Sequence, residues 1–228
     1  TKNMQTQVGI IGAGPAGLLL SHLLALHDID SVVLESRSRE YVENRVRAGV
    51  LEQRTVDLLI QAGLGTRLQQ EGLQHHGIEI RFNNKAHRIN FNELTDGEGI
   101  TIYGQQEVVK DLISTRLAAG GEIQFNVSAV CLQEIDSENP SIEYTQAGVN
   151  QKLECDFIAG CDGFHGISRS SIPTNKIASF DRTYPFAWLG ILVNAPPSSD
   201  VLIYANSPDG FALHSMRSPT VTRNYIQC

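Results

Sequence analysis

A glycine-rich turn followed by a carboxylate carries the clearest chemistry in this sequence. Gly12, Gly14 and Gly17 have the spacing G-x-G-x-x-G directly after the apolar run at residues 8–11, and Glu35 closes the next apolar run at 31–34. In such a unit the first glycine permits a tight turn, the second lets the backbone approach a pyrophosphate, and the third lets helix and strand pack closely. The carboxylate accepts hydrogen bonds from ribose hydroxyls. The pattern therefore predicts a dinucleotide-binding unit, with a turn that merely saves space as the weaker interpretation.

Polar residues near this turn are candidates for the same site. Arg45 and Arg47 precede a predicted helix, and two guanidinium groups can bind a pyrophosphate with bidentate geometry. A solvated basic loop explains them equally well. Gln105 begins another predicted helix, where it could bind a ligand, although capping of the helix is the simpler explanation.

A second informative segment follows the apolar strand predicted at residues 152–159. Asp162 and Gly163 form a turn there, and His165 and Arg169 follow it. Because cofactors bind beyond the carboxyl ends of strands in α/β sheets, this segment is a candidate binding loop. An ordinary Asp-Gly turn beside a surface histidine is the alternative.

Polar side chains also alternate along the strands predicted near the end of the sequence. Ser215 and Arg217 share one face of a strand, as do Arg223 and Tyr225. Arg217 with Ser215 and Tyr225 makes a plausible clamp for a carboxylate, and Tyr204 could bind a second polar end of an aromatic ligand. A solvated polar face is the alternative interpretation.

The periodicity of apolar residues predicts an α/β part at about residues 1–175 and a β-rich part from about 180 onward. We expect residues 36–48 to form a polar loop. The remaining predicted elements are helices at 16–26, 50–62 and 105–119, and strands at 77–82, 86–91, 122–126, 129–135, 141–145 and 152–159.

Composition excludes several classes of protein. The net charge of -7 over 228 residues argues against general nucleic-acid binding. No apolar run is long enough to span a membrane, no signal peptide is apparent, and the four cysteines form no C-x-x-C pair. We therefore expect a cytoplasmic protein without membrane or metal partners. Residues 224–228 resemble the middle of a strand, so we also expect a fragment of a longer protein.

Together these segments resemble one family, the group A flavoprotein aromatic hydroxylases. The resemblance covers essentially the whole chain and depends on residues 12–17, Glu35, 45–52, 103–105, 161–169, 184–190 and 203–206. It implies an α/β fold with a Rossmann-like FAD-binding domain at 1–175 and the incomplete start of a β-sheet substrate-binding domain at 176–228.

The resemblance also implies a reaction. In this family NADPH reduces FAD, the reduced flavin and O2 form a C4a-hydroperoxide, and a hydroxyl group is transferred to the carbon ortho to a phenol. The last two segments narrow the resemblance to members that convert 4-hydroxybenzoate to 3,4-dihydroxybenzoate. Ser36 stands where a basic residue often follows the ribose-binding acid, so NADH stays open beside NADPH as the reductant.

The same resemblance assigns roles to individual residues. Tyr204 is the expected catalytic residue, which binds the substrate phenol and helps it lose its proton. The expected substrate-binding residues are Tyr204, Ser215, Met216, Arg217 and Tyr225. The expected cofactor-binding residues are Gly12, Gly14, Ala16, Gly17, Glu35, Arg45, Val46, Arg47, Ala48, Gly49, Val50, Gln105, Asp162, His165, Arg169 and Arg223. Within that set Arg47, His165 and Arg169 correspond to positions that take NADPH, and Arg223 governs the position of the flavin.

Two alternatives stay open beside the leading hypothesis. One is a hydroxylase of another aromatic acid, and the other is an inactive FAD-binding or dimerising module. The third flavin motif of the family, Gly-Asp-Ala-Ala-His, and a second substrate-side tyrosine are expected beyond Cys228. We expect a small aromatic acid and O2 as reaction partners, and a homodimer stays open as the assembly.

Overall fold

Strands and helices alternate along residues 2–228, the part of the chain that this computed structural model describes. The strands are β1 Lys2–Ile11, β2 Ser31–Leu34, β3 Val50–Glu52, β4 Leu73–His75, β5 Gly77–Phe82, β6 Lys85–Asn90, β7 Ile100–Ile102, β8 Glu122–Gln124, β9 Val127–Gln133, β10 Ser141–Gln146, β11 Val149–Gly160, β12 Trp188–Val193, β13 Leu202–Ser207, β14 Gly210–Ser218 and β15 Val221–Gln227. The helices are α1 Pro15–Ala25, α2 Arg39–Asn44, α3 Gln53–Gln61, α4 Gly65–Glu71, α5 Phe91–Leu94, α6 Gln105–Ala118 and α7 Ser168–Ser171. Within the described residues, no helix combines the length and the apolar character that crossing a bilayer requires.

The chain divides into two compact units whose boundaries differ from those drawn from the sequence. The first unit contains the residues up to Arg47 together with Gln105–Ser179, and the second contains Ala48–Gly104 and Phe180–Cys228. Residues 48–104 therefore belong with the β-rich part and not with the predicted domain at 1–175. The reason is a long-range pairing: β5 lies parallel to β13, with Ile78 opposite Leu202.

The first unit is built around a six-stranded sheet in the order β8-β2-β1-β11-β10-β9. The first four strands are parallel, and β10 and β9 continue the sheet antiparallel. All four residues of β2 are buried, which fits the continuous apolar run of a strand covered on both faces. The fully buried side chains of this unit include Ile10, Leu18, Val33, Leu34, Leu112, Ile113, Ile142 and Leu153.

The second unit contains a six-stranded sheet in the order β12-β15-β14-β13-β5-β6 and a small sheet in the order β3-β7-β4. Apart from the parallel pair β5–β13, the neighbours in the larger sheet are antiparallel. The β5–β6 hairpin turns at Asn83 and Asn84, whose φ angles are 49° and 55°. Asparagine tolerates this left-handed region, and two such residues match the twist of a hairpin.

The local predictions succeeded for most elements, but two were wrong, and α4, β4, α5 and β7 were not predicted. The predicted loop at 36–48 contains α2, whose N-terminus is capped by the Ser38 hydroxyl, 3.2 Å from the Tyr41 amide. The helix predicted at 50–62 begins only at Gln53, because Val50–Glu52 forms β3 and pairs with β7. In both cases a cap or a distant strand decides the local structure.

Candidate functional site

The glycine turn between β1 and α1 has the geometry expected of a phosphate-binding loop. Gly12 has a φ of 102°, and a Cβ atom there would collide with the backbone carbonyl of Cys161. A Cβ atom on Gly17 would collide with the carbonyl oxygen of Gly12. At Gly14, by contrast, a Cβ atom would meet nothing within 4 Å in the described structure. Gly12 and Gly17 are therefore required by close backbone packing, whereas Gly14 borders open space.

The N-terminus of α1 opens at this space. Gly14 is the N-cap residue and Pro15, which has no amide proton, is the first helical residue. In the described structure no side chain caps this end, and the first intrahelical bond runs from the Leu18 amide to the Gly14 carbonyl at 3.0 Å. The amides of Ala16 and Gly17 precede that bond, so they are placed to bind an anion with help from the helix dipole.

Glu35 lies beside the same turn at the end of β2. One carboxylate oxygen accepts the Ala13 amide at 2.8 Å, and the other accepts the Arg37 amide at 2.8 Å and the Ser36 hydroxyl at 3.3 Å. A carboxylate offers about four acceptor positions. These three contacts therefore orient the group and leave capacity for a ligand hydroxyl.

The segment at residues 45–50 crosses the boundary between the two units. Arg45 is exposed, and its guanidinium lies 5.7 Å from the centre of the Tyr41 ring. The Arg37 guanidinium lies 5.2 Å from the same ring centre. Val46, Arg47, Ala48 and Val50 are exposed, whereas Gly49 is buried. Gln105 is the first residue of α6 and is partly buried.

The Asp162 turn is held together by its own carboxylate. One oxygen of Asp162 accepts both the amide and the hydroxyl of Ser168 at 2.9 Å. The turn then carries an exposed aromatic ring, Phe164, which sequence analysis did not single out. His165 meets this ring edge-on with centroids 5.0 Å apart, and the Arg169 guanidinium lies 4.7 Å from its centre. The structure thus gathers two of the three predicted reductant-binding residues around one ring.

A cavity of about 740 Å³ lies in the first unit beside this turn. Its charged lining consists of Asp136, Asp156, Asp162 and Arg169. Three carboxylates against one guanidinium disfavour a pyrophosphate. The glycine turn is therefore the better anion site of this unit.

In the second unit, four of the five predicted substrate residues come together on one face of the larger sheet. Leu213 of β14 lies directly opposite Tyr204 of β13 on one side and opposite Tyr225 of β15 on the other. Residues in register share a face, and so do residues two apart. Ser215 and Arg223, which oppose each other two residues further on, therefore belong to the same face.

Arg217 joins this face through a β-bulge. The register shifts between Met216 and Ser218, so Arg217 is the extra residue of β14. Its guanidinium donates to the Tyr225 hydroxyl at 3.3 Å. Burial lowers the pKa of Arg217, and Arg223 lowers it further, while Tyr225 opposes the shift. A partly buried cation of this kind favours an anionic ligand.

Two further contacts define the surroundings of the two arginines. The Arg223 guanidinium lies 4.4 Å from the centre of the Tyr225 ring. A Cβ atom on Gly190 would come within 3.2 Å of the same guanidinium. Arg223 therefore lies between an aromatic ring and a strand that has no side chain at that point.

Met216 is placed differently from the other predicted substrate residues. It alternates with Ser215 along β14, so its side chain belongs to the opposite face of the sheet. Its carbonyl oxygen accepts the Ser215 hydroxyl at 3.1 Å. The side chain of Met216 therefore does not join the cluster, and its assignment to substrate binding stays a prediction.

Sequence analysis also missed residues at the middle and edge of this face. Leu213 lies between the two tyrosines, and strand alternation with Ser215 would have revealed it. Trp188, Phe211 and Tyr204 form consecutive ring contacts at centroid distances of 5.5 and 6.4 Å. The polar cluster is therefore bordered by aromatic rings, a suitable surface for a flat ligand.

The chain belongs to the family of FAD-binding domains, whose model matches residues 5–228. Among curated proteins, it is 48% identical to the p-hydroxybenzoate hydroxylase of Acinetobacter baylyi over 226 residues, which are 99% of this chain and 56% of that protein. It is 30% identical to the 12-dehydrotetracycline 5-monooxygenase/anhydrotetracycline 6-monooxygenase of Streptomyces rimosus over 164 residues, which are 70% of this chain and 31% of that protein. The chain thus spans little more than half of the first relative.

Solved structures share the fold at lower sequence identity. PqsL of Pseudomonas aeruginosa, in complex with 2-aminobenzoylacetate, superposes with a TM-score of 0.83 at 20% identity. The superposition covers 98% of this chain and 61% of the PqsL chain. The p-nitrophenol 4-monooxygenase PnpA of Pseudomonas putida superposes with a TM-score of 0.81 at 20% identity, over 100% of this chain and 58% of the PnpA chain. The predicted α/β fold with an FAD-binding domain is confirmed.

The residues of the first unit fit FAD. The open space at Gly14 adjoins the uncapped helix end, where a pyrophosphate needs close approach and amide donors. Glu35 has acceptor capacity for the adenosine ribose beside it. The site is therefore consistent with the adenylate half of the cofactor.

Proposed function

We propose that the complete protein is an FAD-dependent hydroxylase that converts 4-hydroxybenzoate to 3,4-dihydroxybenzoate. The reaction consumes one NADPH, one proton and one O2, and releases NADP⁺ and water. The single observation that carries the proposal is the common face of Tyr204, Ser215, Arg217 and Tyr225. The similarity of the chain to a p-hydroxybenzoate hydroxylase also supports the proposal.

The first unit holds the cofactor in this proposal. Ala16 and Gly17 donate amides to the pyrophosphate, and Glu35 accepts the ribose hydroxyls. Bound FAD supplies the redox chemistry that activates O2 for hydroxyl transfer.

The second unit recognises the acid end of the substrate. Arg217 provides a fork of donors for the carboxylate, and Tyr225 lies within hydrogen-bond reach of the same guanidinium. The Ser215 hydroxyl turns its proton from the Met216 carbonyl to the carboxylate, so it exchanges one acceptor for a charged one.

Tyr204 recognises the phenol end. Tyr204 and Tyr225 stand on strands that are separated by one intervening strand, so their backbones lie about 9–10 Å apart. A para-substituted benzene ring with a hydrogen bond at each end suits this span. Tyr204 binds the phenol oxygen and assists removal of its proton, which makes the ortho carbon more nucleophilic.

NADPH needs a different binding surface, because the dinucleotide turn is assigned to FAD. Phe164 offers a ring for stacking, and His165 and Arg169 beside it offer an imidazole and a guanidinium as donors to phosphate. Changing His165 or Arg169 to alanine should raise the Michaelis constant for NADPH and leave the FAD content intact.

We also place the reaction in the cytoplasm, since all four cysteines are free thiols.

A substrate panel tests the proposal. NADPH oxidation and catechol formation are measured with 4-hydroxybenzoate, 3-hydroxybenzoate and phenol. We expect coupled turnover with 4-hydroxybenzoate, since it alone has a carboxylate opposite the phenol. Faster coupled turnover with another acid would assign the protein to that substrate, and absence of turnover with all three would overturn the proposal.

A further inference from the structure

We propose that Gly49 is a positioning residue for the carboxylate end of the substrate, because its missing side chain provides the space that the Arg217 guanidinium occupies. This inference deepens the proposed function and depends on Arg217 binding a carboxylate. Sequence analysis placed Gly49 only among the residues that line the flavin.

The contact lies entirely within the second unit. A Cβ atom built on Gly49 would coincide with one terminal nitrogen of Arg217, and the guanidinium carbon would lie in collision distance as well. Gly49 is buried. The guanidinium therefore rests directly on the Gly49 backbone, between that segment and the Tyr225 hydroxyl.

The backbone of Gly49 is also held in place by the small sheet. Its carbonyl oxygen accepts the Tyr103 amide at 2.9 Å, and the next residue, Val50, pairs with Ile102 in the small sheet. The glycine cannot easily retreat from the arginine, because retreat would break this hydrogen bond. A methyl group at residue 49 would instead displace the guanidinium.

Space is the specific requirement at Gly49. Gly49 is not among the glycines with positive φ, so its backbone conformation is open to alanine. Gly190 provides a comparison on the same sheet, because a Cβ atom there would lie 3.2 Å from Arg223 and could be accommodated by a small shift. A Cβ atom on Gly49 would overlap Arg217, and no small shift could accommodate it.

The position of Arg217 should determine whether the site distinguishes a charged ligand from a neutral one. Displacing Arg217 removes the donor fork from the carboxylate but leaves the phenol end at Tyr204 intact. Gly49→Ala should therefore weaken binding of 4-hydroxybenzoate and leave binding of the neutral 4-hydroxybenzamide nearly unchanged. A general loss of structure would weaken both ligands.

Isothermal titration calorimetry on the complete, FAD-loaded protein measures both ligands for the wild type, Gly49→Ala, Arg217→Ala and the double variant. We expect the wild type to prefer the acid by about tenfold or more, since charged hydrogen bonds are involved. Gly49→Ala should lose most of this preference. In the Arg217→Ala background, the guanidinium that the methyl group would displace is gone, so the substitution should change neither affinity.

The outcomes separate the two proposals. A wild type that does not prefer the acid would overturn the carboxylate assignment and the role of Gly49 with it. A wild type that prefers the acid, with the preference kept in Gly49→Ala, would overturn only the role of Gly49. If Gly49→Ala fails to fold while the double variant folds, the two residues compete for the same space, as proposed. If neither folds, Gly49 serves another purpose and the inference is wrong.

Discussion

Gly14→Ala is the sharpest perturbation of the proposed FAD site, because it should separate ligand binding from folding. The N-cap residue has φ −75° and ψ 178°, a conformation that alanine adopts readily. A Cβ atom there meets no protein atom within 4 Å in the described structure. Without FAD, the substitution should therefore leave stability unchanged or raise it by about 0.4–1 kcal/mol.

With FAD the same methyl group occupies the space that the pyrophosphate needs. Steric overpacking of this kind costs about 1–3 kcal/mol, which corresponds to a dissociation constant about 5- to 150-fold higher. Thermal unfolding of the FAD-free protein and titration of FAD fluorescence measure the two effects separately.

Gly17→Ala is the matched comparison within the same turn. Its Cβ atom would collide with the Gly12 carbonyl, so it should lower the unfolding temperature even without FAD. Normal FAD affinity in Gly14→Ala would refute the assignment of the turn to the pyrophosphate. A fall in stability of the FAD-free Gly14→Ala protein would show that the space is not open.

Four further predictions follow from the two units. Glu35→Ala should weaken FAD binding about 10- to 150-fold through loss of charged hydrogen bonds, whereas exposed Glu40→Ala should not, as measured by fluorescence titration. Arg217→Lys keeps the charge but loses the planar fork, so the dissociation constant for 4-hydroxybenzoate should rise by about tenfold or more, and an unchanged constant would exclude the clamp. Tyr204→Phe should lower product formed per NADPH more than it lowers substrate affinity, and full coupling would remove Tyr204 from the proton step. His75 is buried, and burial is the main cause of its lowered pKa, so the unfolded chain binds more protons below the ordinary value of 6.5. The unfolding temperature should therefore fall as pH drops below that value, and less so in His75→Gln.

The glycine turn and the acid of the first unit were predictable from the sequence, because they depend on the spacing of residues that are close in the chain. The turn at residues 12–17, the helix after it and Glu35 lie within one strand–helix–strand unit, and each was found where expected. Strand alternation likewise predicted that Ser215 and Arg217 share a face. The bulge that aims Arg217 at Tyr225 has no clear signal in the sequence.

Long-range pairing accounts for what the sequence did not reveal. Residues 77–82 join the sheet of residues 202–207, and no periodicity within either segment indicates its partner. The division into units followed that pairing and so differed from the predicted domains. The contact between Gly49 and Arg217 depends on the same arrangement and could not be inferred from spacing.

Incorporation of labelled oxygen tests the central proposal most directly. The complete protein, loaded with FAD, is incubated with NADPH, 4-hydroxybenzoate and ¹⁸O₂, and the products are analysed by mass spectrometry. We predict 3,4-dihydroxybenzoate with one ¹⁸O atom at the carbon ortho to the original phenol, formed once per NADPH oxidised. NADPH oxidation that yields peroxide alone, or a product without the label, would contradict the proposed function.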